Sequence, residues 1–219
     1  MADSTNPEPS LPSPSATPSP PKPSHSGGWW TLLIWLSLAL LLRWQVLEPR
    51  WIPSGSMLPT LQLQDRILVE KVQPRLDRLR QAPLPLNSVV VFRPPERLVA
   101  SGYEPNTALI KRVVGLPGDR IEVHDGQLIR NGSAVAEAWL DETINYEMDA
   151  FTIADQQLWV LGDNRNASLD SHLWGPLPQK NVIGTAIWRY WPLQRFGSIR
   201  DSSRSNTDLQ EQAAIKSMR

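Results

Sequence analysis

From Ile52 onward the chain is cut into short apolar runs, each closed by a turn signal, and that rhythm leaves few folds open. Arg66–Glu70, Val89–Arg93, Leu109–Val114, Arg120–His124, Gln127–Asn131, Leu158–Leu161 and Val182–Trp191 are rich in β-branched or aromatic residues. Leu116-Pro-Gly-Asp, His124-Asp-Gly, Arg130-Asn-Gly and Gly162-Asp-Asn lie between them. Gly, Asn and Asp at such places accept the backbone angles that reverse a strand. The pattern predicts a mainly β fold, an antiparallel multi-sheet domain over residues 48–197 with few helices. Residues 73–84 read as a short helical excursion or a loop, and 133–157 as an insertion on the β domain.

Ahead of this domain, Trp29–Leu42 carries no charge. As a helix it would run about 21 Å; extended to Leu47 it reaches about 28 Å, close to the roughly 30 Å hydrocarbon core of a bilayer. The extension takes in Arg43 and Gln45, and an arginine near the end of a span can reach the headgroups. Trp29, Trp30, Trp44 and Trp51 bracket the segment like interfacial anchors. One transmembrane helix over 29–47 is expected, with a buried core helix or a removed signal peptide as alternatives. Residues 1–28, rich in proline and serine, are expected to be disordered, and 198–219 to be a flexible polar tail. Arg43 and Arg50 after the span, against Lys22 before it, mildly favour placing the C-terminal side in the cytoplasm.

Composition removes several function classes. Lys+Arg and Asp+Glu are both 22, so there is no basic excess to neutralise nucleic-acid phosphates. Cysteine is absent and only three histidines occur, which argues against a thiolate or histidine-rich metal site; no metal or cofactor is expected.

The run Ile52-Pro-Ser-Gly-Ser-Met-Leu-Pro-Thr-Leu61 follows the apolar segment almost at once. Ser54 and Ser56 flank a glycine, and two prolines stiffen the neighbourhood, which suits one exposed hydroxyl held beside an outward backbone N–H. A serine near neutral pH needs a base. His124 lies in a hairpin turn, where histidine is usually solvated. His172 lies two residues after Asp170 and four after Ser168, so a Ser/His/Asp set is conceivable. Lys111 sits in Ala108-Leu-Ile-Lys-Arg-Val-Val, a strand of mostly apolar residues. It is either an edge-strand gatekeeper or a buried amine, and burial lowers a lysine pKa toward neutrality, where it can take a hydroxyl proton.

Three motifs occur in order: Ser54-Gly-Ser56-Met57-x-Pro59-Thr-Leu61, Lys111-Arg112-Val-Val-Gly115-Leu-Pro117-Gly-Asp119, and Gly162-Asp163-Asn164-Arg165-x-x-Ser168-x-Asp170-Ser171. Together they resemble the type I signal peptidases, or leader peptidases. The resemblance runs from about Glu48 to Trp191, and Glu48-Pro-Arg50 before the serine box looks most like cyanobacterial and thylakoid members. Two positions depart from the pattern: Gln64 stands where the family often has glycine, and Asn87-Ser88 replaces a Gly-Asp pair. His172 stands where arginine is common.

The resemblance implies a membrane-bound serine endopeptidase that removes signal peptides from exported pre-proteins after small residues, of Ala-x-Ala type. Ser56 would be the nucleophile and Lys111 the general base. Ser168 would hydrogen-bond the Lys111 amine, and the Ser54 hydroxyl with the Ser56 N–H would form the oxyanion hole. Asp170, Asp163 and Arg112 would support the site. Ile52, Pro53, Met57, Leu61, Ile67, Leu109 and Ile110 would line the substrate pockets, with the peptide extended between the strands before Ser56 and before Lys111. It also implies a plasma or thylakoid membrane location with the tail in the cytoplasm and the β domain outside, against the weak charge bias. The partners are then signal peptides and the lipid bilayer. The rival readings are a hydrolase using His172 and a non-catalytic, membrane-anchored peptide-binding β domain.

Overall fold

The computed structural model describes residues 28–80 and 84–199. The expectations for residues 1–27 and 200–219 lie outside the described residues. The chain divides into two compact units at residues 39 and 40. The described part of the first is the opening of helix α1 (Gly28–Val46), which continues to the start of strand β1. Among the described residues, no helix is long and apolar enough to cross a membrane.

The second unit carries the strands β1 (Leu47–Trp51), β2 (Arg66–Glu70), β3 (Val89–Phe92), β4 (Leu109–Gly115), β5 (Arg120–His124), β6 (Gln127–Arg130), β7 (Ser133–Ala134), β8 (Met148–Thr152), β9 (Gln157–Leu161), β10 (Leu177–Pro178), β11 (Val182–Trp191) and β12 (Gly197–Ser198). Helices α2 (Val72–Leu79), α3 (Glu96–Ala100) and α4 (Ser171–Trp174) are short. The larger sheet runs β1-β2-β11-β3-β4-β9-β10, with β12 on β11; the smaller runs β7-β6-β5-β8. The pairings are antiparallel.

The apolar runs become strands because both faces of the larger sheet are covered. Val89, Val91 and Ile110 pack into one cluster with Ile52, Met57 and Ile67, while Val90, Phe92 and Val113 pack into another with Leu158 and Trp174. That two-sided burial explains runs such as Val89–Phe92, buried throughout, that lack polar alternation. The smaller sheet has a cluster of its own around Ile121, Val123 and Leu128.

Some boundaries differ from expectation. Leu47–Trp51 is a strand, with Pro49 opposite Leu68. Proline is tolerated there because β1 is an edge strand with one side free of the ladder. Residues 72–79 are helical because the Glu70 carboxylate accepts the first free N–H groups, from Val72 at 2.6 Å and Gln73 at 2.7 Å. The insertion supplies β7 and β8, and β8 pairs with β5. The ordered core also outlasts residue 197, since Ser198 pairs with Trp188 and Ile199 is buried.

The two departures at strand starts both fall in left-handed backbone: Gln64 at φ 65° and Asn87 at φ 63°. Asparagine adopts this region readily; glutamine does so at a cost of about 1–2 kcal/mol. Gln64 is exposed, so its side chain contributes little packing. Gln64→Gly is therefore expected to raise stability by up to about 1 kcal/mol, read as a shift in denaturant midpoint at unchanged slope. A lower midpoint would show that the backbone strain is not what limits this turn.

Candidate active site

The serine motif forms a tight series of turns between β1 and β2, pinned from below. Met57 and Leu61 are wholly buried, and the Leu61 N–H donates to the Met57 carbonyl at 2.8 Å. From the side, Asn164 holds the same turn: its backbone N–H donates to the Ser56 carbonyl at 3.1 Å and its side-chain amide to the Gly55 carbonyl at 3.2 Å. The first and third motifs are thereby tied together. Ser54 is exposed, with its Oγ 3.4 Å from Ser56 Oγ.

Lys111 lies on β4, between β3 and β9, so it is not on an edge strand. It is 4% exposed, and its Nζ donates to Ser56 Oγ at 2.8 Å. Burial is the largest influence on the amine and drives its pKa from 10.5 down to about 8; the negative charges of Asp170 and Asp163 oppose it. At that value a substantial neutral fraction exists in mildly basic solution, and a neutral amine 2.8 Å from a hydroxyl is a proton acceptor in place.

Around this pair the charges are buried and matched. Arg112 is fully buried and forks onto Asp163, with Nε to Oδ1 at 2.8 Å and an Nη to Oδ2 at 2.7 Å. A further Nη donates to the Asn87 carbonyl at 2.9 Å, which gives the left-handed turn at Asn87 a purpose. Asp170 is wholly buried and accepts from the Gly162 N–H at 2.8 Å and from His172 Nδ1 at 2.6 Å. The His172 ring stacks on Tyr146, with centroids 4.2 Å apart.

Ser168 is buried, but its hydroxyl makes no hydrogen bond to any described residue, so the expected bond to the Lys111 amine is not formed here. It stands close to the site all the same. A Cβ placed on Gly162 would come within 2.1 Å of Ser168 Oγ and 2.5 Å of the Ser56 carbonyl oxygen, so only glycine fits between them. The absence of a Ser168–His172 bond also leaves a Ser/His/Asp relay without its first link. His124 is exposed and bonded to Glu147 at 2.9 Å, which raises its pKa; it is far too solvated to serve as a buried base.

A groove of about 340 Å³ opens between Ile52 and Pro53 on one side and Ala108, Leu109 and Ile110, the residue before Lys111, on the other, with Ile67, Val91 and the β1 residues Glu48, Pro49, Arg50 and Trp51 also among its walls. Met57 and Leu61, expected to line the pockets, lie in the core instead. Neither this groove nor a larger hollow of about 490 Å³, lined by Trp51, Arg66 and Trp191 among others, has Ser56 or Lys111 in its lining.

Two supports escaped the sequence reading. Glu137 forms a bidentate pair with Arg165, both bonds at 2.5 Å, and Trp139 lies under the Arg112 guanidinium at 4.5 Å. Both come from the insertion. A lone Glu and Trp in a stretch with no clear periodicity carry little local signal; Arg165 in the third motif, for which the sequence reading named no partner, was the better clue.

Residues 28–191 match the family described as signal peptidase, peptidase S26. The probable signal peptidase I-1 of Synechocystis sp. is 46% identical over 168 residues, covering 77% of this chain and 83% of that protein. Signal peptidase I of Leptolyngbya laminosa is 38% identical over 200 residues, covering 90% and 96%. The probable thylakoidal processing peptidase 2 of Arabidopsis thaliana is 43% identical over 164 residues, covering 75% of this chain and 43% of that longer protein. With its serine hydroxyl against a buried amine, and the match running through the motifs that bring the two together, the chain belongs to the signal peptidase family, peptidase S26.

Proposed function

We propose that Ser56 and Lys111 form the catalytic dyad of this signal peptidase, and that the groove beside them holds the end of a signal peptide. The observation that carries the reading is the 2.8 Å contact between a 4%-exposed lysine amine and the serine hydroxyl. Signal peptidases cut N-terminal signal peptides from pre-proteins, and the geometry suggests how this chain does so. The neutral Lys111 amine takes the Ser56 proton as Oγ adds to the scissile carbonyl carbon. The oxyanion falls to the Ser56 N–H and the Ser54 hydroxyl, each donor worth about 2.7–4 kcal/mol at comparable sites. The Lys111 ammonium then protonates the leaving amine, which is the new N-terminus of the exported protein. In the second half Lys111 deprotonates water, which attacks the acyl-Ser56 ester; the Lys111 ammonium returns its proton to Ser56 Oγ as the signal peptide leaves with a free carboxylate. Ser168, buried without a partner, is assigned to accept an N–H from Lys111 as the amine changes charge. Asp170, Asp163 and Arg112 hold the frame.

The groove favours extended peptide with small side chains, because its mostly apolar walls, with Glu48 and Arg50 at one part, stand between two chain segments and its volume is modest. The segment 29–47 is assigned as the membrane anchor of a plasma or thylakoid membrane enzyme, with the tail in the cytoplasm and the β domain that follows it on the other face. Its support is the residue set: Trp29–Leu42 is uncharged, α1 has no polar stripe, and Leu32, Ile34 and Trp35 are exposed. A helix apolar on all sides is unstable in water. Full-length protein is expected to stay with the membrane pellet after alkaline carbonate extraction. Recovery in the supernatant would remove the anchor.

Ser56→Ala and Lys111→Ala are each expected to abolish cleavage of a labelled pre-protein in detergent while the circular dichroism spectrum is kept. In the wild type, kcat should rise with pH as the amine loses its proton, reaching half its plateau near pH 8 and levelling off about one unit above that. Retained cleavage in either variant, or a rate flat from pH 6 to 9, would rule out the dyad.

Lys111 should also cost stability. Its folded pKa is depressed, so the unfolded chain binds the extra proton between about 8 and 10.5, and stability rises with pH across that window. Lys111→Met is expected to unfold at higher denaturant than wild type at pH 7, by up to about 3 kcal/mol, the gap narrowing above pH 10. A variant less stable than wild type at pH 7 would mean that the amine is better solvated than its burial implies.

A further inference from the structure

We infer that Glu137 is a positioning residue for the serine–lysine pair, acting through Arg165 and Gly162; the inference rests on the catalytic reading of Ser56 and Lys111 given above. The route can be followed bond by bond. Arg165 is 2% exposed, and a guanidinium so buried needs an acceptor on each face. Glu137 supplies one by accepting two parallel N–H bonds, at side-chain exposures of 1% for Arg165 and 5% for Glu137. The third N–H, Nε, donates to the Gly162 carbonyl at 3.0 Å. Gly162 is therefore held at both ends, by Arg165 at its carbonyl and by Asp170 at its N–H. Its bare Cα faces Ser168 Oγ and the Ser56 carbonyl with no room to spare. A displacement of Gly162 is thus passed directly to the nucleophile's own peptide unit.

The same stretch of chain grips the third motif elsewhere. Asn166 accepts from the Asn145 N–H and donates to the Thr143 carbonyl, each at 2.9 Å, and Tyr146 stacks on His172. Trp139 packs on Arg112, the neighbour of Lys111. Residues 137–146 thus reach the third motif at Arg165, Asn166 and His172, and the second motif at Arg112. None of them is among the residues lining the substrate groove. A positioning role should therefore act on the chemical step and spare substrate binding, which a general loss of packing would not.

The test is steady-state cleavage of a labelled pre-protein by full-length protein in detergent, with rates taken per folded molecule. Glu137→Gln, which is isosteric but a poorer acceptor for two guanidinium bonds, is expected to lower kcat by at least about tenfold with KM within about twofold. Glu137→Asp, which keeps the carboxylate, should recover a large part of that loss. Asn166→Ala removes the two backbone ties without disturbing a buried charge and should lower kcat about threefold at constant KM. It keeps the inference testable if Glu137→Gln fails to fold. Wild-type kcat in Glu137→Gln, or in Asn166→Ala where the former does not fold, would overturn it, as would a rise in KM at unchanged kcat or an Asp variant no better than Gln. Ser56→Ala is run in parallel. If it still cleaves, the dyad itself has failed; if it is dead while Glu137→Gln is fully active, only the positioning role has.

Discussion

A primary amine out of water is the constraint around which this β domain is arranged. Lys111 occupies an interior strand, covered on both faces and flanked by β3 and β9, and burial draws its pKa to about 8. Two buried carboxylates nearby pull the other way. The structure commits both: Asp163 to the Arg112 fork, Asp170 to Gly162 and His172. The amine is thereby kept between two failures. On the proposed mechanism it is neither so solvated that it stays protonated nor so isolated that it cannot receive a proton from Ser56.

Buried ion pairs are weak sources of stability, because desolvation offsets most of the Coulomb attraction. Their value here is geometric. Arg112 ties β4 to the third motif and, through Asn87, to the loop before β3. Arg165 ties the third motif to the insertion. Asn164 ties it to the serine turn. Three stretches distant in the chain are registered against one another to within a hydrogen bond, which is the tolerance a proton transfer demands.

The strands from β2 to β6, with β9 and β11, were readable because β-branched runs between turn residues have few other fates. β1 was not, since Pro49 argues against a strand unless its edge position is known. Nor was β8, whose Met148–Thr152 is mostly exposed and shows no alternation. That Ser56 and Lys111 meet was legible because their surroundings are unusual for their types: a stiffened hydroxyl, and a charge in an apolar run. The direction in which Ser168 points could not be read, because a buried hydroxyl is set by tertiary packing around Gly162. Glu137 was hidden for a related reason: its partner lies 28 positions away and nothing local marks it.

The interior placement of β4 has a bearing on when the enzyme becomes dangerous. In a partly assembled chain the strand would be wet, the lysine would hold its proton near the ordinary value of 10.5, and Ser56 would have nothing to activate it. On the proposed Ser56–Lys111 dyad, proteolytic competence requires that the sheet has closed on both sides of residue 111. On that reading a newly made molecule stays inert toward its neighbours until its fold is complete, because maturation and ignition are the same event.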